Sequence, residues 1–114
     1  GPMIIKLNKP AGVENISVPS FVPAIARRKA AEIEEQVADE KLKGTQAFDT
    51  LVEFFVFVFG DQFTYDEFTK YADVIDYDLC FNKLLIELNQ RSAEAISKEV
   101  STKNAAAPEV KKKA

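Results

Sequence analysis

Apolar side chains recur every three or four residues over most of the chain, which is the period of an α-helix. The first helix is predicted to begin after Ser20 as its cap, with Pro23 in the first turn, where a missing N–H costs little. It is predicted to continue to about Lys43 and to end at Gly44, a residue type that commonly closes helices. Its narrow apolar stripe predicts packing on one side only. The stripe consists of Val22, Ala26, Ala30, Ile33 and Val37.

The segment LVEFFVFVFGDQFTYDEF, residues 51–68, contains the longest apolar run of the chain. Phe and Val favour strands, but the residues before the run favour a helix. Thr45 is predicted to cap this helix, and Asp49 and Glu53 place acids in its first two turns. Gly60 is predicted to end it. One wide apolar face is expected, made of Phe48, Leu51, Phe54, Phe55, Val58 and Phe59, with Asp49, Thr50 and Glu53 opposite.

Val56 and Phe57 do not fit this face, because both project toward the polar side of the predicted helix. A small domain has difficulty enclosing one helix on every side. These two residues are therefore candidates for a surface that contacts another chain. The alternative is that the first or the last helix covers them, and the sequence favours neither interpretation.

Two further helices are predicted after this segment. The side chain of Phe63 is expected to pack against the core. Thr64 and Glu67 are predicted to form a capping box for a short helix over residues 65–72. Asp76 is the predicted cap of the last helix, over residues 77–98. Its inner stripe would be Phe81, Leu84, Leu85, Leu88 and Ile96. Ile86 points away from that stripe and is a further candidate contact residue.

The ends of the chain carry no helical period. Apolar residues 3–7 and 16–18 flank a predicted turn at residues 8–15, so residues 1–19 form either a short β-hairpin or an extended arm. The opening Gly-Pro is interpreted as a remnant of tag removal. Residues 101–114 are predicted to be a disordered tail, rich in Ala and Lys. The predicted fold is mainly α, a helical domain of about four helices over residues 20–100.

The composition of the chain excludes several classes of function. The 114 residues suit one domain, and the net charge of -3 disfavours non-specific binding to nucleic acid. The chain has no histidine, and its one cysteine, Cys80, is expected to be buried and inert. No catalytic residue, cofactor site or metal site is predicted, because the chain lacks histidine, a glycine-rich phosphate loop and zinc-ligand spacing. A calcium loop starting at Asp76 is disfavoured, because Phe81 stands where such a loop needs glycine. No apolar run is long enough to span a membrane.

The pattern V-F-G-x-Q-F-T-x-D-x-F at residues 58–68, with an acidic turn and a helix containing LLIELN after it, resembles the tail assembly chaperones of long-tailed bacteriophages of Gram-positive hosts. The resemblance covers residues 48–89. It implies a small helical protein of the host cytoplasm that is absent from the mature virion. Such a protein would bind the tape measure protein, keep it soluble and help to recruit tail tube subunits. Val56, Phe57 and Ile86 would supply the contact surface, and a homo-oligomer is expected.

The alternative is a small helical regulatory or DNA-binding phage protein. Its recognition helix would carry Arg27, Arg28 and Lys29. These residues lie among glutamates, so a solvated helix face explains them better. An enzyme or a metal-binding module is the third alternative and is disfavoured by the lack of histidine and of ligand spacing. Neither nucleic acid nor membrane is expected as a partner.

Overall fold

The computed structural model describes residues 3–106 and confirms a mainly helical fold with a short N-terminal hairpin. The elements are strands β1 (Ile4–Lys9) and β2 (Gly12–Ser17), followed by helices α1 (Ile25–Ala38), α2 (Gly44–Val58), α3 (Tyr65–Tyr71) and α4 (Val74–Ala106). Residues up to Phe81 form one compact unit, and residues from Asn82 onward form a second. The two units are described separately.

The N-terminal segment is a hairpin rather than an extended arm. Strands β1 and β2 pair antiparallel, with Ile5 opposite Ile16. The predicted turn at residues 8–15 was too long, because only Pro10 and Ala11 lie between the strands. The polar residues assigned to the turn are instead strand residues, most of them solvent-exposed. The hairpin buries one face, which consists of Ile5, Leu7, Ile16 and the adjoining Val18.

Two side chains at the end of β1 fasten the hairpin to α3. The ammonium of Lys9 lies 2.6 Å from the carboxylate of Glu67, and the amide of Asn8 donates to the carbonyl of Tyr71 at 3.2 Å. The hydrogen bond to Glu67, with a second to Glu14, raises the pKa of Lys9. The bond from Lys9, with one from the backbone of Thr64, lowers the pKa of Glu67.

Helix α1 is shorter than predicted at both ends. It begins at Ile25 with Ala24 as its cap residue, so Ser20 is not the cap and Pro23 precedes the helix. Proline disfavours the helical conformation in the residue before it, so Pro23 keeps Val22 out of the helix. The helix ends at Ala38 rather than near Lys43. Glu40, in a left-handed conformation with a φ of 57°, stands at the helix end, the place that was predicted for Gly44.

Helix α2 begins at Gly44, so this residue opens α2 instead of closing α1. Thr45 lies inside the first turn and is not the cap, which is Lys43 in an extended conformation. The helix character of the apolar run is confirmed. The buried residues are Val52, Phe54, Phe55 and Val58, followed by Phe59. Two residues of the predicted face, Phe48 and Leu51, are only half-buried.

The end of α2 and the start of α3 follow the prediction closely. Gly60, with a φ of 67°, ends α2, and its N–H donates to the carbonyl of Phe57. Thr64 and Glu67 form the predicted capping box of α3. Tyr65 donates a hydrogen bond to the carboxylate of Asp49 on α2, and this bond raises the pKa of Tyr65.

Helix α4 is longer than predicted. It begins at Val74, and the carboxylate of Asp73 accepts from the N–H of Ile75, so Asp73 rather than Asp76 caps it. Before Asn82, α4 contributes the rings of Tyr77 and Phe81. The ring centre of Tyr77 lies 4.7 Å from that of Phe48, and the ring centre of Phe81 lies 5.7 Å from that of Phe54. Cys80 is buried, as predicted. The helix passes Lys98 and continues to Ala106, so the predicted tail starts too early. The rest of that tail, residues 107–114, lies outside the described residues.

In the second unit, Leu84 and Leu88 are buried, as their place on the predicted stripe required. Ile96 was assigned to the same stripe but is 63% exposed, which corrects that prediction. Arg91 pairs with Glu87 at 2.9 Å, one turn apart on the helix. From Asn89 to Lys103 every side chain except Arg91 is exposed.

Candidate functional site

An open groove of about 360 Å³ lies between α1 and α2. Helix α1 and helix α2 supply its two walls, and the segment between them supplies one end. We call it the α1–α2 groove. Its lining residues are Lys29, Glu32, Ile33 and Gln36 on α1, Lys41 and Leu42 in the connection, and Gln46, Thr50, Glu53, Phe54 and Phe57 on α2.

The α2 wall of the groove follows from helical spacing. Gln46, Thr50, Glu53 and Phe57 are separated by four, three and four residues, which places them on one face of α2. Three of the four are polar, and this is the face that the sequence assigned to the polar side. Among the buried residues of α2, Phe54 borders this face and lines the groove, whereas Val52, Phe55 and Val58 lie away from it. The α2 wall of the groove is therefore a polar stripe that ends, toward the C-terminus of the helix, at the aromatic side chain of Phe57.

The floor and the rim of the groove differ in polarity. Ile33, Leu42 and Phe54 are buried and give it an apolar floor. The rim carries Lys29 and Lys41 together with Glu32 and Glu53, so charges of both signs surround the floor. No side-chain polar atom buried in the described part of the chain lacks a hydrogen-bond partner. The apolar floor suits the binding of apolar side chains. The polar groups of the rim can select which residues flank those side chains in the bound segment.

Phe57 is half-buried and forms part of the groove wall. The ammonium of Lys29, on α1, lies 5.0 Å from the centre of its ring, within the range of a cation–π contact. The first helix therefore covers Phe57 in part. The role of Phe57 as a partner contact stays a prediction.

The other two candidate contact residues lie elsewhere. Val56 is half-buried on α2 but is not a lining residue of the groove, although it neighbours Phe57 in sequence. Ile86, on α4 in the second unit, is 55% exposed. Their roles also stay predictions. The groove itself was missed from the sequence, where its signal was the spacing of Gln46, Thr50, Glu53 and Phe57.

The basic residues at the start of α1 have interaction partners within the chain. Arg28 pairs with Glu32 at 3.0 Å, one turn along the helix, and Lys29 lies over Phe57. Arg27 also has an interaction partner. A DNA-binding helix needs such side chains directed at phosphates. The structure favours the interpretation of these residues as a helix face whose charges have partners within the chain.

The V-F-G-x-Q-F-T-x-D-x-F pattern spans the turn from α2 to α3. Its aromatic residues Phe59, Phe63 and Phe68 are buried, and their rings lie 5.5 and 5.6 Å apart in sequence order. The side-chain amide of Gln62 donates to the carbonyls of Ser17 and Phe59, which joins β2 to the end of α2. The pattern thus specifies a packed turn rather than an exposed contact surface.

A family model described as phage tail chaperone protein matches residues 3–105. The chain belongs to the phage tail chaperone family. The match includes the hairpin and nearly all of the four helices, so it covers more than residues 48–89, where the sequence pattern showed the resemblance. No curated protein and no solved structure matches the chain.

Two further findings concern the chaperone's possible sites. Within residues 3–106, no group of three or more His, Cys, Asp or Glu side chains is arranged to hold a metal ion. Helices in this same range either are too short or carry too many polar residues to cross a membrane. The family assignment is that of a chaperone rather than of an enzyme.

Proposed function

We propose that this phage tail chaperone binds the tape measure protein in the host cytoplasm, keeps it soluble and helps to recruit tail tube subunits, without entering the mature virion. The observation that carries the proposal is the α1–α2 groove, with an apolar floor and Phe57 in its wall. A tape measure protein forms long amphipathic helices, whose apolar stripe needs cover until the tube surrounds it. An apolar groove between two helices is a common way to hold such a stripe.

The size of the groove defines the mode of binding. A helix with its side chains is about 10–12 Å wide, and a volume of about 360 Å³ is too small to enclose one. The groove instead accepts one or two large apolar side chains, placed one turn apart on the bound helix. The rest of that helix would lie on the rim, where Lys29 and Glu53 offer charges of both signs.

Shallow binding of this kind is weak for a single copy. Many chaperone copies along one tape measure chain would hold it by avidity, because each bound copy raises the effective concentration of the next site. Phe57 contributes to the groove, while Val56 on α2 and Ile86 in the second unit are proposed as separate contacts. A rim of mixed charge tolerates helices of varied sequence, which a chaperone for a long chain requires.

The first test is co-expression of the chain with the tape measure protein of the same phage. Size-exclusion chromatography with light scattering then measures the mass of the soluble complex. We expect a soluble complex that carries several chaperone copies, whereas the tape measure protein alone precipitates. A tape measure protein that stays insoluble, with the chaperone eluting alone, contradicts the proposed function.

A matched pair of variants locates the binding site. Phe57→Glu places a charge in the groove wall, while Phe21→Glu makes the same change at a phenylalanine that is 77% exposed and does not line the groove. We expect Phe57→Glu to lose the complex and Phe21→Glu to keep it. Gln46→Arg, at an exposed position on the groove rim, gives a second groove variant that leaves the core intact. If both groove variants still form the complex, the groove is not the binding site.

A further inference from the structure

The rim of the α1–α2 groove carries four charged side chains, and two of them already have partners within the chain. Glu32 forms an ion pair at 3.0 Å with the preceding turn of α1, and the ammonium of Lys29 lies 5.0 Å from the ring centre of Phe57. The other two are Lys41 and Glu53. Both are exposed, and neither forms an ion pair with a side chain in the described part of the chain. These two charges are therefore available to a bound molecule.

The two available charges lie at different places along the groove. Lys41 lies at the end that the connection between α1 and α2 supplies, where its N–H donates to the carbonyl of Gln36 at 2.9 Å. Glu53 follows seven residues after Gln46, which is the first residue of α2 to line the groove. Seven residues correspond to about 10 Å along a helix at 1.5 Å per residue. The cation and the anion are thus separated by about two helical turns, with the apolar floor along the same stretch.

We propose that the α1–α2 groove selects helical segments in which an acidic and a basic residue, about seven positions apart, flank one large apolar residue, an inference that rests on the proposed function of this groove. Positions i, i+3 or i+4, and i+7 lie on one face of a helix. The apolar side chain at the middle position enters the groove. The acidic side chain then reaches Lys41, and the basic side chain reaches Glu53.

A segment with flanks of one sign fits this groove less well. Two acidic flanks would place one carboxylate near Lys41 but the other near Glu53, and two basic flanks would place an ammonium near Lys41. Each exposed ion pair changes an affinity by a factor of about 1.5 to 5, and a contact between like charges acts in the opposite direction. We therefore expect a preference of about fivefold, which ranks helices by their charge pattern and still lets other helices bind.

Three synthetic peptides of about 20 residues test this selection, because much shorter peptides are only marginally helical in water. Each carries one central Phe, which is flanked by Glu and Lys in the mixed-charge peptide, by two Glu in the acidic peptide and by two Lys in the basic peptide. Chemical-shift titration of the isotope-labelled full chain by NMR measures each affinity. We expect the mixed-charge peptide to bind about fivefold more tightly than the other two at low salt, and within about twofold of them at roughly 0.5 M salt.

Charge reversal in the groove should change the order of the three peptides. Lys41→Glu leaves negative charges along the groove and should rank the basic peptide first, whereas Glu53→Lys should rank the acidic peptide first. The matched controls are Lys43→Glu and Glu34→Lys, at exposed positions that do not line the groove. Both controls should keep the mixed-charge peptide first.

A fourth peptide tests the role of the apolar floor. It carries Ser in place of Phe between Glu and Lys, and it should bind about tenfold more weakly than the mixed-charge peptide, because no large apolar side chain enters the groove. Equal binding of these two peptides overturns the proposal.

Three other results would also overturn the selection by charge: equal affinities of the first three peptides for the original chain, an order that the two groove variants leave unchanged, or no binding of any peptide. A soluble complex with the co-expressed tape measure protein would still support the proposed function in each of these cases. Loss of that complex as well would contradict both.

Discussion

Residues in a left-handed conformation close both α1 and α2. Glu40 and Gly60 occupy equivalent positions, with φ values of 57° and 67°. In each case the next residue, Lys41 or Asp61, donates its N–H back to a carbonyl in the last turn of the helix. Glycine adopts this conformation without strain, whereas a residue with a Cβ pays about 1–2 kcal/mol. At the closing position itself, only the end of α1 has a residue with a Cβ. The end of α2 adds a second left-handed residue, Asp61, with a φ of 58°.

Substitutions at Gly60 and at Glu40 are expected to change the free energy of unfolding in opposite directions. Gly60→Ala should lower the free energy of unfolding by about 1–2 kcal/mol, because the new Cβ is strained and lies 3.3 Å from the Cγ of Pro19. Glu40→Gly should raise it by about 0.5 kcal/mol, since relief of strain exceeds the entropy gained by the unfolded chain. Urea unfolding curves measure both. A neutral effect of Gly60→Ala would show that α2 does not end in this conformation.

The ion pair between Lys9 and Glu67 makes stability depend on pH. The pKa of Glu67 lies below its ordinary value of 4.5 in the folded chain. The carboxylate therefore stabilises the fold above that pH, and this contribution is lost as the pH falls through the folded-state pKa. Glu67→Gln keeps the capping hydrogen bond, because glutamine also fits a capping box, but removes the charge.

We expect Glu67→Gln to be less stable than the original chain at pH 7 and to approach it at about pH 3. Urea midpoints at the two pH values measure this convergence. Glu34→Gln, at an exposed position on α1, is the control and should leave the difference between the two pH values unchanged. A constant gap between Glu67→Gln and the original chain at both pH values would show that the charge of Glu67 does not act through Lys9.

At the scale of elements, α1 is held less firmly than α2. The buried face of α1 consists of Ala26, Ala30 and Ile33, whereas α2 buries two phenylalanines and two valines. Small side chains bury little apolar area, so α1 should open without unfolding the rest of the chain. Hydrogen exchange measured by mass spectrometry should find faster exchange in the amides of α1 than in the central amides of α2. Equal protection in both helices would show that α1 opens only with the whole molecule.

The elements also show which features the sequence could predict. The capping box of Thr64 and the stop at Gly60 depend on residues close in sequence, and both were predicted correctly. The ends of α1 were not, because Ser20 has the right residue type for a cap but Pro23 delays the helix. The α1–α2 groove arises only when two helices lie side by side, and its polar stripe on α2 looks the same in sequence as a solvated face. The extension of α4 past Ser101 has no apolar period that would have revealed it.

At the scale of the whole molecule, Cys80 reports on unfolding. It is the single cysteine of the chain, and its side chain is 1% exposed. A thiol reagent reaches it only when the surrounding core opens. In a marginally stable protein, the unfolded molecules make up a fraction of about 10⁻³ or less of the total. We expect Cys80 to react with Ellman's reagent at least about 10³-fold more slowly in the folded chain than in urea.

A second thiol at an exposed site provides the internal control for this measurement. Ser20→Cys adds a cysteine at an exposed position in the same chain. The variant should release one equivalent of thiol at once and a second one slowly. Two fast equivalents in the folded chain would show that the core around Cys80 opens readily.

The contacts between the hairpin and α3 have a consequence for the nascent chain during its synthesis. Lys9 and Asn8 are made first, but their partners Glu67 and Tyr71 follow 58 and 63 residues later. At about 5–20 residues per second, a ribosome needs roughly 3 to 12 seconds to make that interval. During this time the apolar face of the nascent hairpin lacks the helix that covers its end. A protein that protects another chain during assembly thus passes through a brief period in which its own first residues are unprotected.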